Sequence, residues 1–126
     1  MIVIDSDVLI EILDKKSEKG DEAIKQILQS GEEIATTVIS LHEVLYGLHK
    51  YGKPVKEILL LPILNYTKKE AVLSSKIELE AEKKGNQLRR TDAMIAAIAI
   101  NNAAKLYTFD LKHFNHLKAL GLRLFI

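Results

Sequence analysis

Short apolar runs alternate along this chain with longer stretches of helical period, and four of the junctions carry a carboxylate. Ile2-Val3-Ile4 ends at Asp5, and the β-branched run Thr36-Thr37-Val38-Ile39 is followed closely by Glu43. Asp92 opens the most apolar helical stretch, and Leu106-Tyr107-Thr108-Phe109 ends at Asp110. Strands that alternate with helices argue for a parallel sheet with right-handed crossovers. In such a sheet, residues just beyond the strands converge on the crevice outside their carboxyl ends. Four carboxylates in one crevice repel each other unless cations hold them, and an all-oxygen ligand set suits Mg²⁺ or Mn²⁺. The pattern points to metal-assisted phosphodiester chemistry.

The element boundaries follow from period and punctuation. Ile2 to Ile4 reads as a buried strand, with a helix next because Val8, Leu9, Ile12 and Leu13 fall on one face. Lys15 to Gly20 reads as a polar loop. The spacing predicts a helix from Asp21 to about Gln29, with Ile24, Ile27 and Leu28 inward and Gly31 as its stop. Ile34 to Ile39 reads as a strand. Ser40 reads as the start of a helix carrying Leu41, Val44, Leu45 and Leu48 inward, broken at Gly52 and Pro54. A short helix over Val55 to Leu61 and a short strand over Ile63 to Tyr66 follow. Thr67 to Lys84 is the longest helical pattern, with a Thr67-x-x-Glu70 capping signature and Gly85 beyond it. Thr91 to Ala103 is apolar on nearly every face, which predicts a central, buried helix. Leu106 to Phe109 and Leu122 to Ile126 read as strands, separated by a helix over Leu111 to Leu120 that Gly121 closes.

At 126 residues the chain reads as a single domain, 1–126. It has no Cys, which excludes disulfides and thiolate-based zinc sites and fits a cytoplasmic protein. The apolar run at the start is too short for a signal peptide, and the run from Ala93 to Ile100 is far too short to cross a membrane. With 18 basic and 17 acidic side chains the net charge is +1, so the molecule as a whole does not attract nucleic acid. Contact with a polyanion has to come from local groups or through metal ions.

Taken singly, each acid has a second reading. Glu43 stands three residues after Ser40, as in a capping box. Asp92 at a helix start is favoured by the helix dipole. Asp110 and Asp5 suit N-cap positions. Taken together they are harder to read as caps, because capping draws on Ser, Thr, Asn and Gly as readily as on Asp. Asp7 lies at the rim of the site or in the first helical turn. The four His form no His-x-x-x-His pair and read as surface or half-buried residues. Arg89 and Arg90 flank Asp92 where a phosphate backbone would approach. Ser6 and Thr108 flank the acids and can hydrogen-bond a water or a phosphate oxygen.

Four segments resemble the motifs of PIN domains: 2–10 around Asp5, 39–47 around Glu43, 91–97 around Asp92, and 106–114 around Asp110. Glu43 followed by Tyr46-Gly47, and Asp110 followed by Phe114, are similar to the VapC-type toxins of toxin–antitoxin pairs. The resemblance spans the chain in order. It implies a three-layer α/β/α sandwich around a parallel sheet of about five strands, and an Mg²⁺- or Mn²⁺-dependent endoribonuclease. It also implies a homodimer and a cognate antitoxin that blocks the site. By motif, Asp5, Glu43, Asp92 and Asp110 carry over as catalytic and metal-binding acids, and Thr108 as the hydroxyl beside the fourth. Where the family often has Arg before that fourth acid, this chain has Phe109. Tyr46, Tyr51 and Leu59 to Leu61 exceed what the local core pattern uses, which suits a symmetric interface.

Three other classes share part of this pattern. A response-regulator receiver needs an acceptor Asp after its third strand, where this chain has Asn65-Tyr66-Thr67. A haloacid-dehalogenase phosphatase would use Asp5-Ser6-Asp7 but needs a catalytic Lys and a late acidic pair. A PIN-like module without a toxin role, whether a processing nuclease or a silent binding domain, keeps the same motifs.

Overall fold

The computed structural model describes all 126 residues, Met1–Ile126. Five short strands, β1 (Ile2–Ile4), β2 (Ile34–Thr37), β3 (Ile63–Leu64), β4 (Lys105–Tyr107) and β5 (Arg123–Leu124), form one parallel sheet in the order β3-β2-β1-β4-β5. Strand β1 is therefore central. The chain adds β2 and β3 on one side of it, then returns to add β4 and β5 on the other.

Every residue of β1 is buried, which accounts for its unbroken apolar run. Val3 packs into a core with Ile77, Ala93, Ala97, Leu106 and Phe114 on one face of the sheet. Ile2 and Ile4 pack on the other face with Val8, Leu9, Ile27, Val44 and Ile58. The two-residue period of the strand thus divides one segment between two cores. The first core lies under α5 (Lys68–Lys83), α6 (Arg90–Asn101) and α7 (Leu111–Phe114), the last running on as a 3₁₀ turn over Asn115–Leu120. The second lies under α1 (Ser6–Leu9), which continues as a π-helical turn over Ile10–Asp14, and under α2 (Glu18–Ser30), α3 (Val38–Lys50) and α4 (Lys56–Leu59). This is a three-layer α/β/α sandwich.

Small residues set the close contacts. Helix α6 buries Ala93, Ala96, Ala97 and Ala99, so its backbone approaches the sheet closely. At Gly20 a Cβ would stand 2.3 Å from the carbonyl oxygen of Glu11, so α2 can cross the end of the first helix only with glycine there. Glu70 is buried yet satisfied. It accepts from the Thr67 amide at 3.1 Å, from the Thr67 hydroxyl, and from Asn101 Nδ2 at 2.6 Å, tying α5 to α6. These bonds hold its carboxyl below the usual range, the Thr67 hydroxyl first and Asn101 second.

Three local expectations are corrected. The strand read as Ile34 to Ile39 ends at Thr37, and α3 begins at Val38 rather than Ser40. The Thr37 hydroxyl accepts from the Ser40 amide at 3.0 Å, so a helix cap sits inside the β-branched run. Helix α2 begins at Glu18, with the Ser17 hydroxyl accepting from the Gly20 amide at 3.0 Å, and its inward face is Gly20, Ala23 and Ile27. Ile24 and Leu28, expected inward, are exposed. The last strand is only Arg123–Leu124.

Candidate active site

Because the chain departs from β1 in opposite directions, its crossovers diverge at the carboxyl ends of β1 and β4 and leave a crevice there. Asp5 caps the short α1 and sits at the crevice floor, with 5% of its surface exposed. Its Oδ1 accepts from the Ser6 amide at 2.8 Å and from the Ser40 hydroxyl at 3.5 Å. Its Oδ2 accepts from the Thr108 hydroxyl at 2.8 Å. All these donors are neutral, so no positive charge balances the carboxylate. Burial, then the neighbouring charge of Asp7, push the Asp5 carboxyl up to about 7, with Asp92 adding a smaller push.

The other acids surround it. Glu43 lies in the second turn of α3, not at its cap, and accepts from the Ser6 hydroxyl at 3.2 Å. Asp92, 2% exposed, stands in the first turn of α6 and pairs with Arg89: Nε to Oδ2 and Nη2 to Oδ1, both at 3.2 Å. Asp110 caps α7 and receives the His113 amide at 3.4 Å, while its own amide donates to the Thr108 hydroxyl at 3.0 Å. Arg89 feels Asp92 most, then Glu43 and Asp110, and these acids raise its pKa further. Asp5 and Asp110 are therefore caps and members of the cluster at once.

Ser6 and Thr108 both stand among the acids, as the sequence suggested. Arg89 and Arg90 diverge. Arg89 lies over the acids with 68% of its side chain exposed, whereas Arg90 makes a paired contact with Glu78, Nε to Oε1 and Nη2 to Oε2, both at 3.1 Å. Three further residues belong here. Ser40, read as a helix start, is fully buried and faces Asp5. Asp7 is a brace: its Oδ1 accepts from the Val8 amide at 2.8 Å and its Oδ2 from the Phe109 amide at 3.0 Å, tying the end of β1 to the end of β4. Burial chiefly pushes its carboxyl up as well. His113, read as an ordinary histidine, places Nδ1 2.6 Å from Asp110 Oδ2. Its position three residues beyond a helix-capping Asp was the available signal.

Whether this arrangement suits a divalent cation is decided by its donors. Carboxylate oxygens dominate, and Asp5 is buried without a counter-charge. Asp92, Asp110 and His113 each bring one ligand atom within 4.8 Å of one another, close enough to share one ion, and carboxylate oxygens are the donors that hard divalent cations take.

The elevated pKa of Asp5 has a stability consequence with a definite sign. The folded protein keeps the Asp5 proton up to about pH 7, while the unfolded chain releases it near the ordinary value of 3.8. Asp5 therefore costs nothing below about pH 4, and destabilises the metal-free fold increasingly as the pH rises to about 7. Removing the charge by Asp5→Asn is expected to leave stability nearly unchanged at pH 4 and to raise it at pH 8, by about 4 kcal/mol at most. Urea denaturation in EDTA across that range measures the difference. A difference that does not change with pH would contradict the assignment.

Comparison with known proteins agrees with this geometry. The PIN domain family model matches residues 2–120. The chain is 30% identical to Ribonuclease VapC1 of Methanocaldococcus jannaschii, the match covering 98% of this chain and 86% of that one. Among solved structures it resembles VapBC2 from Rickettsia felis, crystallised bound to a DNA fragment from their promoter. There the TM-score is 0.80, the identity 25%, and the coverage 99% of this chain and 98% of that one. It also resembles a toxin–antitoxin complex from Klebsiella pneumoniae, with TM-score 0.74, 24% identity and 90% of each chain covered. Family model, relative and fold coincide: the chain belongs to the PIN-domain family.

Proposed function

We propose that this protein is a metal-dependent endoribonuclease acting as the toxin of a toxin–antitoxin pair. The observation that carries the proposal is the buried Asp5, without a counter-charge, in a switch-point crevice it shares with Glu43, Asp92 and Asp110. The name of its relative in Methanocaldococcus jannaschii supports RNA as the substrate. In this reading Asp5, Glu43, Asp92 and Asp110 hold the cation. Bound Mg²⁺ or Mn²⁺ supplies Lewis acidity that lowers the pKa of water and offsets charge on the phosphate.

The chain's own residues do the rest. Asp5 must be ionised to act as a ligand, so cation binding favours loss of the proton that burial holds. Ser6 and Thr108 hold the carboxylates in place through their hydroxyls. Arg89 is well exposed and free to leave Asp92 for a phosphate oxygen, a geometry its planar guanidinium matches. An open polar cleft of about 720 Å³, bounded by Glu78, Asn86, Gln87, Arg89, Arg90 and His113, can seat the strand. Water adds in line to phosphorus, the bond to the 3′ oxygen breaks, that oxygen takes up a proton, and the ends are 5′-phosphate and 3′-hydroxyl.

Two partners fit other surfaces. An apolar groove of about 310 Å³ lies between the first helix, α2 and the end of α4, lined by Ile12, Leu13, Ile24, Leu28, Leu60 and Leu61. Leu28 and Leu60 are 74% and 75% exposed in it. It suits an amphipathic helix of an antitoxin, and the first helix that forms one wall also begins at Asp5, so a segment continuing from the groove can bring an Arg or Lys to the acids. Exposed Tyr46, Tyr51 and Leu59 suit a second copy of this chain. Light scattering is expected to give a dimer mass, and a monomer mass independent of concentration would contradict that.

In a cleavage assay on a random RNA pool read by sequencing, activity is expected to require Mg²⁺ or Mn²⁺. Asp5→Asn and Asp92→Asn are expected to lower it by at least about 100-fold. Arg89→Ala separates two roles: it frees Asp92, so Mn²⁺ should bind several-fold tighter, yet cleavage at saturating Mn²⁺ should fall by about tenfold or more. Cleavage that survives EDTA, or survives Asp5→Asn, would refute the reading.

A further inference from the structure

The donors at this crevice are not all oxygen. His113 lies in α7, one turn beyond Asp110, and is half-buried. One imidazole nitrogen of His113 and one carboxylate oxygen from each of Asp92 and Asp110 all lie within 4.8 Å of one another. Opposite ligands of a six-coordinate ion at about 2.1 Å stand roughly 4.2 Å apart, so a single ion can reach all three after small side-chain adjustments. The other histidines are elsewhere: His42 and His49 are exposed on α3, and His116 is in the 3₁₀ turn outside this group. The hydrogen-bond partners of Asp5 and Glu43 are hydroxyls and a backbone amide, with no histidine among them.

We infer that His113 is a nitrogen ligand of the cation held by Asp92 and Asp110, and that it biases this protein toward Mn²⁺ over Mg²⁺. The inference rests on the metal-dependent reading above and goes beyond its four acids. Mg²⁺ gives up water reluctantly and takes oxygen ligands, whereas imidazole favours first-row transition ions. A cation here also replaces the contact between His113 and Asp110 with a shared ligand, so neither side chain is left unpaired. The competing role is indirect: His113 only orients Asp110 through its 2.6 Å contact. The two roles differ in whether a nitrogen touches the ion.

The test is pulsed electron paramagnetic resonance on the full chain loaded with Mn²⁺ alone. A directly bound nitrogen modulates the spin echo, and ¹⁵N-histidine labelling shifts that modulation in the wild-type protein without any substitution. The expected result is histidine-nitrogen modulation that disappears in His113→Ala. In parallel titrations, that variant should lose about tenfold or more in Mn²⁺ affinity and much less in Mg²⁺ affinity. Mn²⁺ that binds without histidine-nitrogen modulation would overturn the inference and leave the metal-dependent nuclease standing. Equal loss of Mn²⁺ and Mg²⁺ affinity in His113→Ala would overturn it in favour of the orienting role. Failure of Mn²⁺ to bind at all would remove both readings.

Discussion

Burying an ionised carboxylate costs several kcal/mol unless hydrogen bonds or a cation offset it, and Asp5 is buried at the carboxyl end of the central strand. Its surroundings are arranged around that cost. Thr108, the residue after the paired Tyr107 of β4, donates to it. Ser40, held by the Thr37 cap, faces it from α3. Asp7 draws the Phe109 amide toward α1 and keeps β1 and β4 in register beyond their last paired residues. These contacts bring α1, α3 and the β4–α7 turn to one point, and none of them carries positive charge. The floor of the crevice is a buried carboxylate with no cationic side chain bonded to it, which is what the proposed cation would supply.

Arg89 shows how the free protein tolerates this. It occupies Asp92 and contributes positive charge felt by Glu43 and Asp110, but none of its contacts reaches Asp5. Its own exposure makes the pair cheap to break, since an exposed guanidinium re-hydrates as it leaves. In the proposed reaction Arg89 and the metal compete for one carboxylate, and Arg89 turns to a phosphate when it is displaced. Arg90, one residue on, pairs with Glu78 instead, and lines the same polar cleft as Arg89.

The acids were legible because each follows a short apolar run whose burial demands a strand, and the parallel topology then fixes where strand ends meet. Helix α6 and the Thr67–Glu70 cap were legible for similarly local reasons. The start of α3 was not. Ile34-Ala35-Thr36-Thr37-Val38-Ile39 is uniformly suited to a strand, and only the Thr37 side chain, turned back to the Ser40 amide, switches the backbone to helix there. With the cap at Thr37 and not at Ser40, Glu43 moves from a capping position to the second turn, where its carboxylate accepts from Ser6. Ile24 and Leu28 have core-like spacing, yet they line an open groove, because helical period identifies an apolar face without identifying what covers it. His113 and Ser40 were missed because their roles arise from contacts across the crevice or from a helix turn whose presence had to be established first.

The central claim is that the four carboxylates form one cation site, and thermal unfolding with and without Mn²⁺ tests it most directly. Binding to the native state alone must stabilise it by mass action. Wild-type protein at millimolar Mn²⁺ is expected to melt several degrees above the metal-free protein, and Asp5→Asn and Asp92→Asn are expected to show no such rise. Wild-type protein that melts at the same temperature with and without saturating Mn²⁺ would mean that these acids serve the fold and are not ligands.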